Sequence, residues 1–180
     1  MKLELGSGYS PTPGFVHLDA NPNAPDVDII GFAYPLPQAA LDLAPFDEIR
    51  AVDVLEHITY RQAFFAVEEW CEVLAPGGRL YVQVPDADAI MREYVRLTDA
   101  GLLWTIDGDG CAPIVGAEWR LLGGHADGSY VAAGDDWRWN AHYSIWSAES
   151  LRVALEGCGM AIESLETNAH PNLCVVAVKL

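Results

Sequence analysis

Gly6-Ser-Gly8 and Asp19 are the residues whose types and spacing first offer chemistry. Leu3 and Leu5 make a short apolar strand that runs straight into the two glycines. Glycine tolerates positive φ, and with no side chain in the way a ligand can meet bare backbone N–H groups. Asp19 closes the next apolar run, Phe15-Val-His-Leu18. A carboxylate at the carboxyl end of a second strand can accept hydrogen bonds from both hydroxyls of a ribose. Glycine turn plus acid reads as a site for a nucleoside cofactor; the glycine pair alone reads equally as a plain strand-to-loop turn. The dinucleotide fingerprint wants a third small residue opening a helix and an acid about 20 residues on. Pro11 and Pro13 forbid an ordinary helix, and Asp19 arrives sooner. A diphosphate seated on a helix N-terminus is therefore poorly supported, and a cofactor without phosphates fits better.

Bulk properties narrow the class. A chain of 180 residues, 51% apolar and 20% charged, suits a single domain with a real core. Its formal charge of −16 would repel nucleic-acid phosphates and anionic membrane surfaces. Cys71, Cys111, Cys158 and Cys174 are scattered without a Cys-x-x-Cys pair, which disfavours both a disulfide framework and a zinc site and favours a reducing compartment. The N-terminus enters a strand at once and no apolar run is long enough to span a bilayer. A cytoplasmic setting is expected.

Strands and helices alternate, the pattern of an α/β fold with a mostly parallel sheet. After the first two strands come Val27–Ile30 and Asp47–Asp53. Thr59, with Gln62 three residues later, predicts a capping box on a helix from Tyr60 to Leu74, its core stripe Phe64, Val67, Cys71 and Leu74. Pro76-Gly-Gly78 stops that helix, and Arg79–Val84 is the fifth strand. Asp86 or Asp88 caps a helix holding Ile90, Met91, Tyr94, Val95 and Leu97. A last helix opens at Ser147 and turns in Leu151, Ala154, Leu155 and Cys158, before strands Ala161–Leu165 and Leu173–Val178. Residues 101–146 break the pattern with Trp104, Trp119, Trp137, Trp139 and Trp146. This aromatic-rich insertion reads as a lid or pocket wall, or as a packed excursion burying area.

Leu3-Glu-Leu-Gly-Ser-Gly8, Pro13-Gly-Phe-Val-His-Leu-Asp19, Asp53-Val-Leu-Glu-His-Ile58 and Val73-Leu-Ala-Pro-Gly-Gly-Arg-Leu-Tyr-Val82 occur in order. With them the sequence resembles the class I S-adenosylmethionine-dependent methyltransferases, in the small variant whose first helix is lost or reduced. Ser147-Ala-Glu-Ser-Leu151 to Gly157-Cys-Gly-Met160 resembles the family's helix before the last two strands. The resemblance implies a Rossmann-like three-layer α/β/α sandwich with about seven strands, one domain over residues 1–180, and S-adenosyl-L-methionine as cofactor. Glu4, Gly6, Ser7 and Gly8 would surround its methionine part, and Asp19 would take the ribose hydroxyls. Where the family usually carries an acidic or polar residue near adenine, this chain reads Gly31-Phe-Ala-Tyr34, so Phe32 or Ala33 would wall the ring instead. Asp53 would sit beside the transferable methyl, with Glu56 and His57 on the loop facing substrate.

Methyl transfer from a sulfonium is an in-line displacement that needs mainly alignment and desolvation. For a hydroxyl acceptor His57 is the best-placed base, or else it packs before the Thr59 cap. His125 and His142 lie in or beside the insertion and approach the same mouth, or pack at the surface. Asp53-x-x-Glu56-His57 also resembles the metal-binding segment of the ubiquinone-pathway O-methyltransferases, whose oxygen and imidazole ligands suit Mg, Mn or Zn. The same Leu-Glu-His string is widespread in methyltransferases without a metal, and none is expected here. The leading expectation is methyl transfer to a small neutral or cationic acceptor, by O- or N-methylation, with homodimerisation left open. A non-catalytic cofactor or partner binder and a nicotinamide-dependent oxidoreductase are the competing readings.

Overall fold

A computed structural model describes residues 1–102, 121–123 and 141–180. His125, Cys111 and Trp104, Trp119, Trp137 and Trp139 lie outside the described residues. The elements run β1 (Lys2–Leu5), β2 (Val16–Asp19), β3 (Ile29–Ile30), α1 (Gln38–Leu41), β4 (Phe46–Val52), a 3₁₀ turn (Leu55–His57), α2 (Tyr60–Glu72), β5 (Leu74–Pro85), α3 (Ala87–Asp99), α4 (Ala148–Gly157), β6 (Met160–Thr167) and β7 (Asn172–Lys179). The strands form one sheet of seven in the order β3-β2-β1-β4-β5-β7-β6. β1 to β5 pair in parallel, and β7 runs antiparallel to both β5 and β6. The expected Rossmann-like, mostly parallel sheet is therefore present, closed at one edge by an antiparallel hairpin.

Alternation along the strands splits the sheet into two chemically different faces. Leu3, Leu5, Leu18, Ile49, Ala51, Leu80, Val82, Val84, Val175 and Ala177 point one way and are buried in a single cluster with α2 and α4. Trp70 and Leu151 are fully buried there, and the Trp70 indole N–H donates to the Ala33 carbonyl at 2.8 Å. The opposite face is polar. Glu4 stands in register with His17 on one side and Arg50 on the other, and Arg50 with Tyr81. Arg50 Nε is 3.4 Å from Glu4 Oε1, and its guanidinium lies 4.6 Å from the centre of the Tyr81 ring.

The chain path explains the asymmetry. Going from β1 to β2 moves one way across the sheet, and from β4 to β5 the other way, so right-handed crossovers would lie on opposite faces. α2 makes the β4–β5 crossover and fills the apolar face. No helix forms between β1 and β2, as Pro11 and Pro13 dictate, so the opposite face lacks that cover and keeps charged pairs instead.

Local expectations fared unevenly. Ser147 caps α4 as predicted, exchanging hydrogen bonds with Ser150, and Asp86 Oδ1 accepts the Ala89 N–H at the start of α3. Thr59 does not cap α2: its hydroxyl donates to the Gln62 side chain at 2.7 Å rather than accepting a helix N–H. The core stripe of α2 is Ala63, Ala66, Val67, Trp70 and Cys71, whereas Phe64 is half-buried against Trp146 and Leu74 belongs to β5. β5 starts before Pro76 because Leu74 already pairs with Phe46 across a register shift. α3 departs most. Only Ala87 and Ile90 are buried, and Met91, Tyr94 and Val95 are exposed, because periodicity marks an apolar stripe without supplying anything for it to pack on. Among the described residues no helix is long and apolar enough to cross a membrane.

Truncating Leu155, fully buried in α4, should cost about 2–5 kcal/mol in Leu155→Ala. Met91→Ala on the exposed side of α3 should stay within roughly 0.5 kcal/mol. Urea unfolding followed by circular dichroism measures both, and equal losses would contradict this division of the two helices.

Candidate functional site

The neighbours of β1 leave it in opposite directions, and open α/β sheets hold ligands in the crevice at the carboxyl ends of strands where that reversal occurs. Gly6 follows β1 there, Asp19 ends β2 and Asp53 follows β4. Gly6 and Gly8 have φ of +62° and +55°, the left-handed region that glycine enters without penalty. A Cβ on Gly6 would stand 2.5 Å from Val54 Cγ2, so the first glycine is required by close approach as well as by conformation. The Gly6 and Ser7 N–H groups both donate to the Leu18 carbonyl, at 2.8 and 3.3 Å, which folds the loop over the end of β2.

Asp19 is the hinge of this arrangement. Its Oδ2 accepts the Gly8 N–H and its Oδ1 the Asn21 N–H, both at 2.7 Å, and the side chain is buried. Each carboxylate oxygen keeps further lone-pair capacity for a ligand. Glu4, expected near the cofactor, works elsewhere. Its carboxylate accepts from both the backbone N–H and the hydroxyl of Thr12, and it faces Arg50 and His17 on the polar side of the sheet. It anchors the return of the loop and does not line the cleft. His17 clasps the same loop through the Thr12 and Asp26 carbonyls. Burial works to lower its pKa, but those carbonyls and the nearby Glu4 and Asp28 charges outweigh it and the pKa is raised.

Past β4 the chain turns sharply. Asp53 has φ of +54°, a conformation that aspartate tolerates better than most residues. Its N–H donates to the Gln83 carbonyl at 3.0 Å and its Oδ1 accepts from the Gln83 amide at 3.1 Å. The 3₁₀ turn that follows is stitched to a segment far along the chain. The Glu56 carbonyl accepts the Tyr143 and Ser144 N–H groups at 2.7 and 3.1 Å, and the Ser144 hydroxyl donates to the Leu55 carbonyl. Trp146, buried, donates its indole N–H to Ser144 Oγ. His57 Nδ1 donates to the Ala141 carbonyl at 3.1 Å, and burial lowers its pKa although that carbonyl and the Asp53 charge oppose the shift. Glu56 is completely buried, and desolvation reinforced by the Asp53 charge holds its carboxyl well above the usual range.

A cleft of about 970 Å³ opens over these strand ends. Of the residues singled out from the sequence, Gly6, Gly8, Asp19, Phe32, Ala33, Asp53 and His57 line it together. Ser7 is buried beside it, while Glu56 and His142 line a small recess with Trp146. Asn21, Tyr34, Gln62 and Tyr143 also line the cleft and were not anticipated. Asn21 had a signal in its place two residues beyond Asp19; Tyr143 had none, since only the tertiary fold brings it near.

No protein-family model and no curated protein matches the sequence. Solved structures do match in shape. Burkholderia thailandensis 1,6-didemethyltoxoflavin-N1-methyltransferase, with 1,6-didemethyltoxoflavin and S-adenosylhomocysteine bound, superposes with a TM-score of 0.59 at 14% identity over 99% of this chain and 70% of its own. Magnesium protoporphyrin IX methyltransferase from Synechocystis, with S-adenosylhomocysteine bound, gives 0.57 at 12% identity over 100% of this chain and 74% of its own. An O-methyltransferase family 2 protein from Planctomyces limnophilus, in complex with apigenin, gives 0.56 at 14% identity, and this chain spans 50% of it. The fold is that of the class I S-adenosylmethionine-dependent methyltransferases.

Gly6→Ala should lower the unfolding free energy by about 1–3 kcal/mol through φ strain and the Val54 contact. Adding Val54→Ala removes the contact but not the strain, so the double variant should lose less than the sum of the single ones. Strict additivity in chemical denaturation would mean that the two residues do not meet.

Proposed function

We propose that this chain binds S-adenosylmethionine in the cleft and transfers its methyl group to a small-molecule acceptor. One observation carries the reading: the Asp19 carboxylate is held at the end of β2 by the Gly8 and Asn21 N–H groups, within the cleft and beside the bare Gly6–Gly8 bend. A pre-positioned carboxylate there suits the two ribose hydroxyls, and the bend suits the methionine end of the cofactor. Phe32, Ala33 and Tyr34 offer an apolar wall for adenine in place of an acid. The methyl group then faces Asp53 and His57. With Nδ1 donating to Ala141, the neutral His57 ring keeps its lone pair on Nε2, which can take the proton of an acceptor hydroxyl. The sulfonium supplies the driving force and the cleft supplies alignment. A formal charge of −16 favours a neutral or cationic acceptor over a nucleic acid.

The absence of an acid on Gly31–Tyr34 favours a second reading, in which the cleft binds the cofactor without turnover. Release of labelled methyl over a panel of phenolic and amine acceptors separates the two. Calorimetry with S-adenosylhomocysteine and with NAD(H) decides whether the cofactor itself is right.

Asp19→Ala should weaken S-adenosylhomocysteine by about 1–3 kcal/mol, the scale for losing charge-assisted hydrogen bonds. Unchanged calorimetric affinity would remove Asp19 from the cofactor site. His57→Ala should reduce turnover more than cofactor affinity. Parallel loss of both, or loss of neither, would leave His57 a packing residue.

A further inference from the structure

The turn after β4 and the segment at residues 141–146 assemble a donor cluster of which methyl transfer as read above uses only His57. Glu56, His57 and His142 each offer one ligand atom, and the three lie within 4.8 Å of one another. Glu56 is 2% exposed, and its Oε2 has no hydrogen-bond partner. An orphaned oxygen on a buried carboxyl is costly, and buried polar atoms are otherwise nearly always satisfied. A bound cation would give that oxygen a partner. His57 is already oriented as a ligand. Its Nδ1–H points at the Ala141 carbonyl, which sets the tautomer and leaves the Nε2 lone pair available, the outer-shell arrangement of metal-bound histidines. The His142 ring meets His57 edge-on, centroids 4.9 Å apart, so the two imidazoles converge rather than stack.

We propose that Glu56, His57 and His142 form a divalent-cation site in the recess beside the cleft, with His57 lining the cleft itself. One carboxylate and two imidazoles suit a Zn²⁺- or Mn²⁺-class ion better than Ca²⁺, which prefers an all-oxygen shell. Ligands at about 2.0–2.2 Å from one ion stand roughly 3–3.5 Å apart, so small rotations of the two rings close the present spacing. Asp53 is outside the cluster, its Oδ1 engaged by Gln83, and adds favourable charge from nearby. Three protein ligands leave a position for an acceptor oxygen.

This inference rests on the methyl-transfer reading and narrows its acceptor to a hydroxyl compound. On the ion the hydroxyl loses its proton to water more readily. The oxygen's electron pair then forms the bond to the methyl carbon, and the C–S pair stays on sulfur, giving the methyl ether and S-adenosylhomocysteine. In the loaded state the ion, rather than His57, makes the acceptor nucleophilic.

The test uses EDTA-stripped protein titrated with ZnCl₂ and, separately, MnCl₂ by calorimetry, with S-adenosylhomocysteine binding measured on the same stripped samples. One ion per chain is expected. Affinity should fall at least about tenfold in His142→Ala and Glu56→Gln and hold in His170→Ala, which alters an exposed histidine elsewhere. S-adenosylhomocysteine affinity of stripped His142→Ala should match wild type. His142→Gln, which preserves bulk, supplies the same comparison if the alanine chain does not fold. Ions bound equally well by wild type and the His142 variants, or not at all, would overturn the site. Failure of wild type to bind S-adenosylhomocysteine would strike the methyl-transfer reading instead, and the ion titration would still judge the cluster.

Discussion

β1 has a neighbour on each side, and the chain leaves those neighbours in opposite directions, which opens a crevice at the strand ends. The rest of the site follows from that constraint. Gly6 has to turn within the crevice without a side chain, because Val54 already fills the space where a Cβ would go. The Leu18 carbonyl takes the first two N–H groups of the bend, and Asp19 takes the N–H of Gly8. Two strand ends are thus locked to one loop by backbone donors alone, which positions a carboxylate more rigidly than a free side chain would.

The same path determines how the molecule uses its two faces. The apolar face gathers α2 and α4 around Trp70, Leu151 and Leu155 and holds the core. The other face, lacking a β1–β2 helix, pairs Glu4 with Arg50 and Thr12 and lays Arg50 over Tyr81. Glu4 does a structural job there. Its carboxylate anchors the loop at Thr12 on that face, while Gly6, Gly8 and Asp19 line the cleft.

At the far wall, the turn after β4 cannot satisfy itself. The Glu56 carbonyl is met by the Tyr143 and Ser144 N–H groups, the Leu55 carbonyl takes the Ser144 hydroxyl besides the Ile58 N–H of the turn itself, and the His57 ring is held by the Ala141 carbonyl. The distant segment therefore shapes the chemistry of the turn, setting the tautomer of His57 and burying Glu56. Tight packing around Trp146 and Ser144 leaves the Glu56 oxygen unsatisfied within an otherwise well-bonded region.

Much of the architecture was legible in the residues alone. Apolar runs identified all seven strands, β1, β4, β5 and β7 each burying alternate residues in the core, and the prolines at 11 and 13 ruled out the first helix by removing donors and fixing φ. Glycine and acid at two strand ends marked the cleft, since few other residue types can occupy such positions. Burial on α3 was not legible: periodicity reports an apolar stripe but not its partner. Nor was the role of Glu4, whose partners come from three other stretches of chain. Convergence of Glu56, His57 and His142 was likewise a tertiary outcome, because nothing local to any of the three specifies that residues 141–146 will return to the turn after β4. Local chemistry determined which residues turn, cap and alternate. Long-range hydrogen bonds decided which of them meet, because contacts between distant segments depend on the whole sheet being assembled.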